Sequence, residues 1–302
     1  MIDYDPHHWR GHLWDIKGSM VRQITARVLT CVCWSAAVWL ADASLRPHGF
    51  SLAVSEMGHS LVGLVLGLLL VFRTNASYDR FWEGRKQWGA IVNESRNLAR
   101  AASVLLAGDR SLAARTIHWT VAFAWSCLHR LRGTAGLGSV EQWLPAAEVA
   151  AVELSGHIPL AVARRITEQL DQARRQGLIG DYVQMQLDQN VQLLVDYIGA
   201  CERIHNTPLP FAYVVHLRRL IILYSFTLPF ALLDKFGWET IPVTFFIAYM
   251  LFGIEEIGVQ IEDPIGEDDN DLPLEQICTK IETNLLEIAA SLDPAAGVTE
   301  LT

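Results

Sequence analysis

Cysteine, positive charge and long apolar runs are all scarce in this sequence. Cysteine occurs 5 times, and the one close pair is the C-x-C of Cys31 and Cys33 inside an apolar segment. Zinc and iron–sulfur sites need cysteines at ligand spacing, so we predict that Cys31, Cys33, Cys127, Cys201 and Cys278 are reduced, packed thiols. The formal net charge of −9 excludes nucleic acid as a partner, because phosphate binding requires a basic face.

The start of the chain does not read as a cleaved signal peptide. The stretch MIDYDPHHWRGHLWDIKGSM is polar and acidic, whereas a signal peptide starts with basic residues and ends at a small-residue cleavage site. We therefore expect no segment to be removed. Hydrophobic residues make up 51% of the 302 residues and charged residues 19%, which predicts a protein that lies partly in lipid and partly in water.

Four apolar segments are candidates for membrane helices. They are Ile24 to Leu40, Gly58 to Phe72, Leu220 to Leu233 and Ile241 to Ile254. Each is shorter than the roughly 20 residues that a lone transmembrane helix needs. Flanking helical residues must therefore extend each segment, as happens in a bundle whose helices continue into water.

Basic residues near the segment ends predict the orientation, because they gather on the cytoplasmic side of a membrane. These residues are Arg22, Arg27, Arg73, Arg80, Arg85, Lys86, Arg203, Arg218 and Arg219. The opposite loops carry Arg46 and Lys235. We predict a multi-pass protein of the cell (inner) membrane with both termini in the cytoplasm. We predict five divisions of the chain. They are a cytosolic N-terminal segment (1–23), membrane helices 1 and 2 (24–76), a cytosolic helical domain (77–213), membrane helices 3 and 4 (214–258), and a cytosolic C-terminal segment with an acidic loop (259–302).

The region between the second and third segments has helical periodicity and no alternating strand pattern, so the fold class is all-α. One run, Thr116 to Leu131, is apolar enough to be read as a fifth span. It is short and has basic and histidine flanks, which favours a buried helix in a water-soluble region.

The second apolar segment runs into the polar stretch Phe72 to Gly89 without a turn signal, which predicts one or two nearly continuous helices from Gly58 to about Arg100. Leu64, Leu68 and Phe72 are spaced by 4 residues and form an apolar stripe on this segment. Beside the stripe, the glycines of a G-x-x-x-G pair permit close approach of another helix. Two interpretations remain open: the stripe packs against other spans, or several copies of it surround an axis and form a dry constriction.

An acidic turn, EDPIGEDDNDLPL, follows the fourth segment. The turn offers the oxygen ligands that calcium prefers, on Gln260, Asp263, Glu267, Asp268, Asp269 and Asp271. The alternative is that an Asp or Asn here caps a helix beginning near Leu272.

Three stretches in this order, FRTNASYDRFWEGRKQWG, NTPLPFAY and EDPIGEDDNDLPL, resemble the bestrophin family in its prokaryotic branch. The resemblance covers essentially the whole chain. It implies a pentameric ion channel with four membrane helices per subunit, a helical cytosolic part and a central pore. It places the family's apolar neck on Leu64, Leu68 and Phe72, the stripe found from helical spacing.

The resemblance also implies a second cytosolic constriction near Ile179 or Tyr182. It places the family's calcium ligands on Gln260, Asp263, Asp268 and Asp271, with calcium as an option and no cofactor required. The partners it implies are identical subunits, the lipid bilayer and permeant monovalent ions. We expect sodium or another cation to be slightly favoured over chloride. The reason is the acidic character of the outer ends, which carry Asp42, Glu56, Asp234 and Glu239.

Two functions of other classes are alternatives to the channel. A membrane-surface hydrolase would use the acidic turn as a metal site with His205 or His216 as a base, but these histidines have no metal-ligand spacing. We therefore expect no enzyme activity. A non-conducting assembly or anchoring protein would use the same oligomer-forming helices without a pore.

Overall fold

The first apolar segment forms helix α1 (Val21–Leu45) in a computed structural model that describes residues 19–292. Buried residues recur along α1 at helical spacing, among them Ile24, Val28 and Cys31, so one face packs inside the chain. A 3-10 turn (Arg46–His48) then ends at Gly49, whose φ of 84° is left-handed and suits a residue without Cβ.

Helix α2 (Glu56–Leu105) continues from the apolar segment through the whole polar stretch, as the absence of a turn signal predicted. Its 50 residues span about 75 Å at 1.5 Å per residue, against a hydrocarbon thickness of about 30 Å. More than half of α2 must therefore lie outside the hydrocarbon region.

Seven further helices follow in the described part of the chain. They are α3 (Arg110–Arg132), α4 (Ala146–Glu153), α5 (Ile158–Arg175), α6 (Asp181–Asn206), α7 (Phe211–Phe236), α8 (Thr240–Gln260) and α9 (Leu274–Ala290). No strand occurs between residues 19 and 292. The all-α prediction is confirmed.

The chain divides into two compact units. The first contains the described residues up to Trp82 together with Pro208–Asp271, and the second contains Glu83–Thr207 and the described residues from Leu272 onward. In the described part of the chain, the helical stretches long and apolar enough to cross a bilayer are α1 with its 3-10 turn, α2, and the 50-residue stretch formed by α7 and α8. A 3-10 turn (Gly237–Glu239) separates α7 from α8, so the four predicted membrane helices are present.

The core of the first unit joins α1, α2, α7 and α8. Ile24, Leu66, Leu70, Ile221 and Phe252 are among its buried members. The four helices thus bury one apolar face each against the others.

Close helix approach occurs at one glycine of the predicted G-x-x-x-G pair. A Cβ on Gly63 would lie 2.6 Å from the Tyr224 hydroxyl of α7, so only glycine fits there without rearrangement. Gly67, in contrast, has open space within the chain.

Helix α3 is the centre of the second unit and contacts both α5 and α9. It contains the apolar run that resembled a fifth span, and Ile117, Trp119 and Phe123 there are fully buried. The Asp109 side chain caps its start by accepting from the Leu112 N–H at 3.0 Å. The run is therefore the core helix of this unit.

All five cysteines are free thiols, as predicted. Burial raises the pKa of Cys201 and Cys278 to about 12, so these thiols stay protonated and unreactive. The prediction that every cysteine is packed was wrong for Cys33, whose side chain is exposed because it lies on the outer face of α1.

Candidate pore-lining face and acidic loop

One face of α2 is apolar and has no packing partner within the chain. Leu64, Leu68 and Phe72 are 74%, 54% and 57% exposed. The opposite face is packed, with Leu66 and Leu70 among its buried residues. The stripe found from helical spacing is therefore the face that α2 presents outward, which a pore-lining face requires.

The same face changes from apolar to polar just beyond Phe72. At 100° per residue, Asn75 and Asp79 fall on the line of Leu64, Leu68 and Phe72, and both are exposed. Sequence analysis did not single out Asp79, although its spacing of 7 residues from Phe72 was available as a signal.

The three stretches that carry the family resemblance meet at Glu262. Its carboxylate accepts from Arg73 Nη2 at 3.3 Å and from the Leu209 N–H at 3.0 Å. Its backbone carbonyl accepts from Arg80 Nε at 2.9 Å. One glutamate thus joins α2, the segment that starts α7 and the acidic loop within the first unit.

Arg73 makes this junction costly to disturb. The residue is 1% exposed, and its Nε and Nη1 have no hydrogen-bond partner among the described residues. A Cβ on Gly258 of α8 would lie 3.4 Å from Arg73 Nε, so the glycine makes room for the guanidinium. Among the described residues, Glu262 is the carboxylate that lies within ion-pair distance of the Arg73 guanidinium. Sequence analysis passed over Glu262 in favour of its neighbour Asp263.

The acidic residues at the predicted outer end are partly neutralised by ion pairs. Arg46 lies 2.5 Å from Asp42 and 2.8 Å from Asp234, and Lys235 lies 3.4 Å from Glu56. These two cations balance half of the charge of Asp42, Glu56, Asp234 and Glu239, so the expectation that these carboxylates raise the local cation concentration is weakened.

The acidic loop is held by its own hydrogen bonds. Asp271 Oδ2 accepts from the Asp268 N–H at 2.7 Å, and Asp263 Oδ1 accepts from the Ile265 N–H at 3.2 Å. The Gln260 side-chain oxygen accepts from the Asn270 amide at 2.8 Å. Three of the four predicted calcium ligands thus serve as acceptors inside the turn.

The carboxylates of the loop do not form a metal cluster by themselves. Between residues 19 and 292, no group of three or more His, Cys, Asp or Glu side chains is placed to hold a metal ion. Calcium takes six to eight oxygens, and backbone and amide carbonyls supply part of them, so calcium at this loop stays a prediction. The capping alternative was wrong, because α9 starts after Pro273 and no side chain caps it.

Asp271 is the unusual carboxylate of the loop. It is buried, and its Oδ1 has no hydrogen-bond partner in the described chain. Burial, together with the negative charges of Asp268 and Asp263, raises the pKa of Asp271 to about 6. The loop therefore contains an acid that titrates close to neutral pH.

The two residues predicted for the second constriction differ in exposure. Ile179 is 8% exposed and lies before α6, whereas Tyr182 is 67% exposed in the first turn of that helix. A residue that lines a pore between subunits must be accessible in one subunit. Tyr182 meets this condition within the second unit.

The fold and these sites define an all-helical membrane protein with four apolar helices and an outward apolar face on the second. Over residues 1–287 the chain matches the family described as Bacterial/Fungal Bestrophin protein. The chain belongs to this bestrophin family, which confirms the resemblance. Members of the family are ion channels and not enzymes, so the hydrolase alternative is excluded.

Relatives and solved structures agree with this assignment. A voltage-dependent anion channel-forming protein of Synechocystis is 41% identical over 288 residues, which cover 94% of this chain and 92% of the relative. A protein of the same name from Nostoc is 38% identical and covers 95% and 93%. A crystal structure of a bacterial bestrophin homolog from Klebsiella pneumoniae matches with a TM-score of 0.83 and 31% identity, covering 88% of this chain and 98% of that one.

Proposed function

We propose that this chain forms a homopentamer in the cell (inner) membrane and conducts monovalent ions passively through a pore on the symmetry axis. The observation that carries the proposal is the exposed apolar face of α2 in a chain whose family consists of ion channels. In a membrane, a face of three large apolar side chains at helical spacing contacts either lipid or copies of itself around an axis. We assign it to the axis because the family consists of ion channels, which need a pore.

In this pentamer, Leu64, Leu68 and Phe72 form three stacked rings that narrow the pore. An apolar constriction of this kind gates by dewetting, because water and its dissolved ions leave a narrow apolar tube. The rings contain no charge, so the neck controls whether ions pass more than which ions pass.

Anions are the first candidate for the permeant ion. The support is that the Synechocystis and Nostoc relatives are both named voltage-dependent anion channel-forming proteins. Chloride would then cross a neck that presents no carboxylate.

Cations, with sodium first among them, are the second candidate, and one residue favours them. Five copies of Asp79 would form a ring of carboxylates on the pore face beyond Phe72. Rings of acidic side chains select cations in channels. The Asp79 ring is therefore the argument for cation permeation, in place of the carboxylates at the outer end.

The proposal requires no cofactor. Calcium at Gln260, Asp263, Asp268 and Asp271 would compete with the hydrogen bonds that three of these side chains accept within the loop. If calcium raises the melting temperature of the protein and Asp268→Asn with Asp271→Asn abolishes the rise, the loop binds it. Tyr182 is our candidate for a second constriction, and we place both termini in the cytoplasm because of the basic residues near the span ends.

The proposal is tested with purified protein in two measurements. Native mass spectrometry should give the mass of five chains. Planar-bilayer recording under asymmetric sodium chloride should give current whose reversal potential shifts toward the chloride equilibrium potential for anions, or toward that of sodium for cations. An intact oligomer that carries no current would instead support the non-conducting assembly protein.

A further inference from the structure

A groove of about 360 Å³ lies between α1 and α7 in the first unit. Its sides are apolar over most of their length, with Cys31 on α1, Ile221, Ile222 and Phe226 on α7, and Phe252 on α8. All three helices belong to the membrane-spanning set, so the groove lies at the depth of lipid.

One end of the groove is charged. Arg27 Nη1 donates to Glu256 at 2.9 Å, and Arg218 Nε donates to Glu255 at 2.9 Å. The two carboxylates are buried, whereas the side chains of Arg27 and Arg218 are 47% and 50% exposed. The buried glutamates therefore fix two guanidinium groups at the groove mouth.

These guanidiniums keep donors available. The terminal nitrogens of Arg218, and Nε and Nη2 of Arg27, have no hydrogen-bond partner among residues 19–292. A guanidinium presents planar paired donors that match the oxygens of a phosphate. Glu255 and Glu256 balance the charge of the two arginines, so it is the remaining N–H donors of these guanidiniums that can receive the oxygens of a phosphate.

The other end of the groove is closed by aromatic rings. The Trp34 indole N–H donates to the Phe226 carbonyl at 2.8 Å, and the ring centroids of Trp34 and Phe226 are 5.6 Å apart. From Arg218 to Phe226, α7 advances 8 residues, or about 12 Å. The groove thus has a polar mouth and an apolar body, and the body is long enough for part of a lipid acyl chain.

We propose that this groove binds one anionic phospholipid per subunit. Its phosphate lies against Arg27 and Arg218, and one acyl chain follows Ile222 toward Phe226. The guanidinium donors of the mouth and the apolar body match the two parts of such a lipid, and Arg22 on α1 adds a positive charge that favours a negative headgroup over a zwitterionic one. This inference rests on the membrane location and not on conduction.

Lipid competition tests the proposal on the intact oligomer. The protein is delipidated in detergent and given equal amounts of phosphatidylglycerol and phosphatidylcholine. Native mass spectrometry then measures which lipid stays bound to the oligomer and in how many copies. We expect up to one phosphatidylglycerol per subunit to be retained in preference to phosphatidylcholine. Arg218→Gln should weaken this retention about tenfold, the effect of losing a charge-assisted contact. Arg219→Gln removes an adjacent exposed arginine outside the groove lining and should leave retention unchanged.

A second variant keeps the ion pairs intact. Ile222→Trp fills the apolar body of the groove and should also reduce phosphatidylglycerol retention. Equal retention of the two lipids by the wild type would overturn the proposal. So would equal losses in Arg218→Gln and Arg219→Gln, which would indicate general surface charge. If Ile222→Trp dissociates the oligomer without altering lipid retention, a second copy of the chain covers the groove and the proposal is wrong.

Discussion

Replacing Glu262 should destabilise the first unit more than replacing any exposed acid of the same loop. In Glu262→Gln, Arg73 keeps its charge but loses the carboxylate 3.3 Å from its Nη2. The new amide can still accept from the Leu209 N–H. The perturbation therefore isolates the charge and leaves the turn intact.

The magnitude follows from the burial of Arg73. Removing one partner of a buried ion pair costs about 3–5 kcal/mol, and the partial exposure of Glu262 places this pair at the lower end. For a chain of 302 residues, with an unfolding entropy of about 0.6 kcal/mol/K, a loss of about 3 kcal/mol lowers the melting temperature by about 5 °C. Arg73→Met in the same background removes the unpaired charge and should recover part of the loss.

The assay is thermal unfolding of the purified protein in detergent, followed by intrinsic fluorescence. Glu267→Gln is the matched control, because Glu267 is an exposed acid of the same loop, and it should shift the melting temperature by a degree or two at most. Equal melting temperatures for Glu262→Gln and Glu267→Gln would refute the reasoning. Strict additivity of Glu262→Gln and Arg73→Met would also refute it.

The remaining predictions concern the pore face and the loop. Leu68→Ala should widen the neck and raise single-channel conductance or open probability, and an unchanged current in an intact oligomer would contradict the neck assignment. Asp79→Asn should move the reversal potential toward the chloride equilibrium potential if its ring favours cations, and an unmoved potential removes that support. Because the folded pKa of Asp271 is raised to about 6, the folded state binds more protons than the unfolded state between about pH 4 and 6, so this group makes stability fall as pH rises through that range. Asp271→Asn should flatten the pH dependence of the melting temperature, whereas the exposed control Asp269→Asn should leave it unchanged.

Much of the fold could be predicted because apolar density and helical periodicity are local signals. The four membrane helices, the continuity of α2 and the core role of α3 all follow from such signals. The stripe of Leu64, Leu68 and Phe72 was predictable for the same reason, since residues spaced by 4 share a helix face whatever the surroundings.

The parts that sequence did not predict depend on contacts between distant residues. Glu262 is one acid among many in its loop, and its contacts with Arg73 and Leu209 join positions 189 and 53 residues away. The neutralisation of Asp234 by Arg46 is likewise a contact between separate helices. Charge counting along the chain cannot identify such pairs, which is why the outer acidic end was given too much weight.

The most direct test of the central claim asks whether the exposed face of α2 lines the ion path. Leu68→Cys is made in a Cys33→Ser background, which removes the exposed native thiol, and single-channel current is recorded before and after a cationic methanethiosulfonate reagent. Val62→Cys is the control, because Val62 is exposed on α2 but lies about 120° from the stripe. The account predicts that the reagent changes the current through Leu68→Cys and leaves Val62→Cys unaffected. No change at Leu68→Cys, or an equal change at both positions, would contradict it.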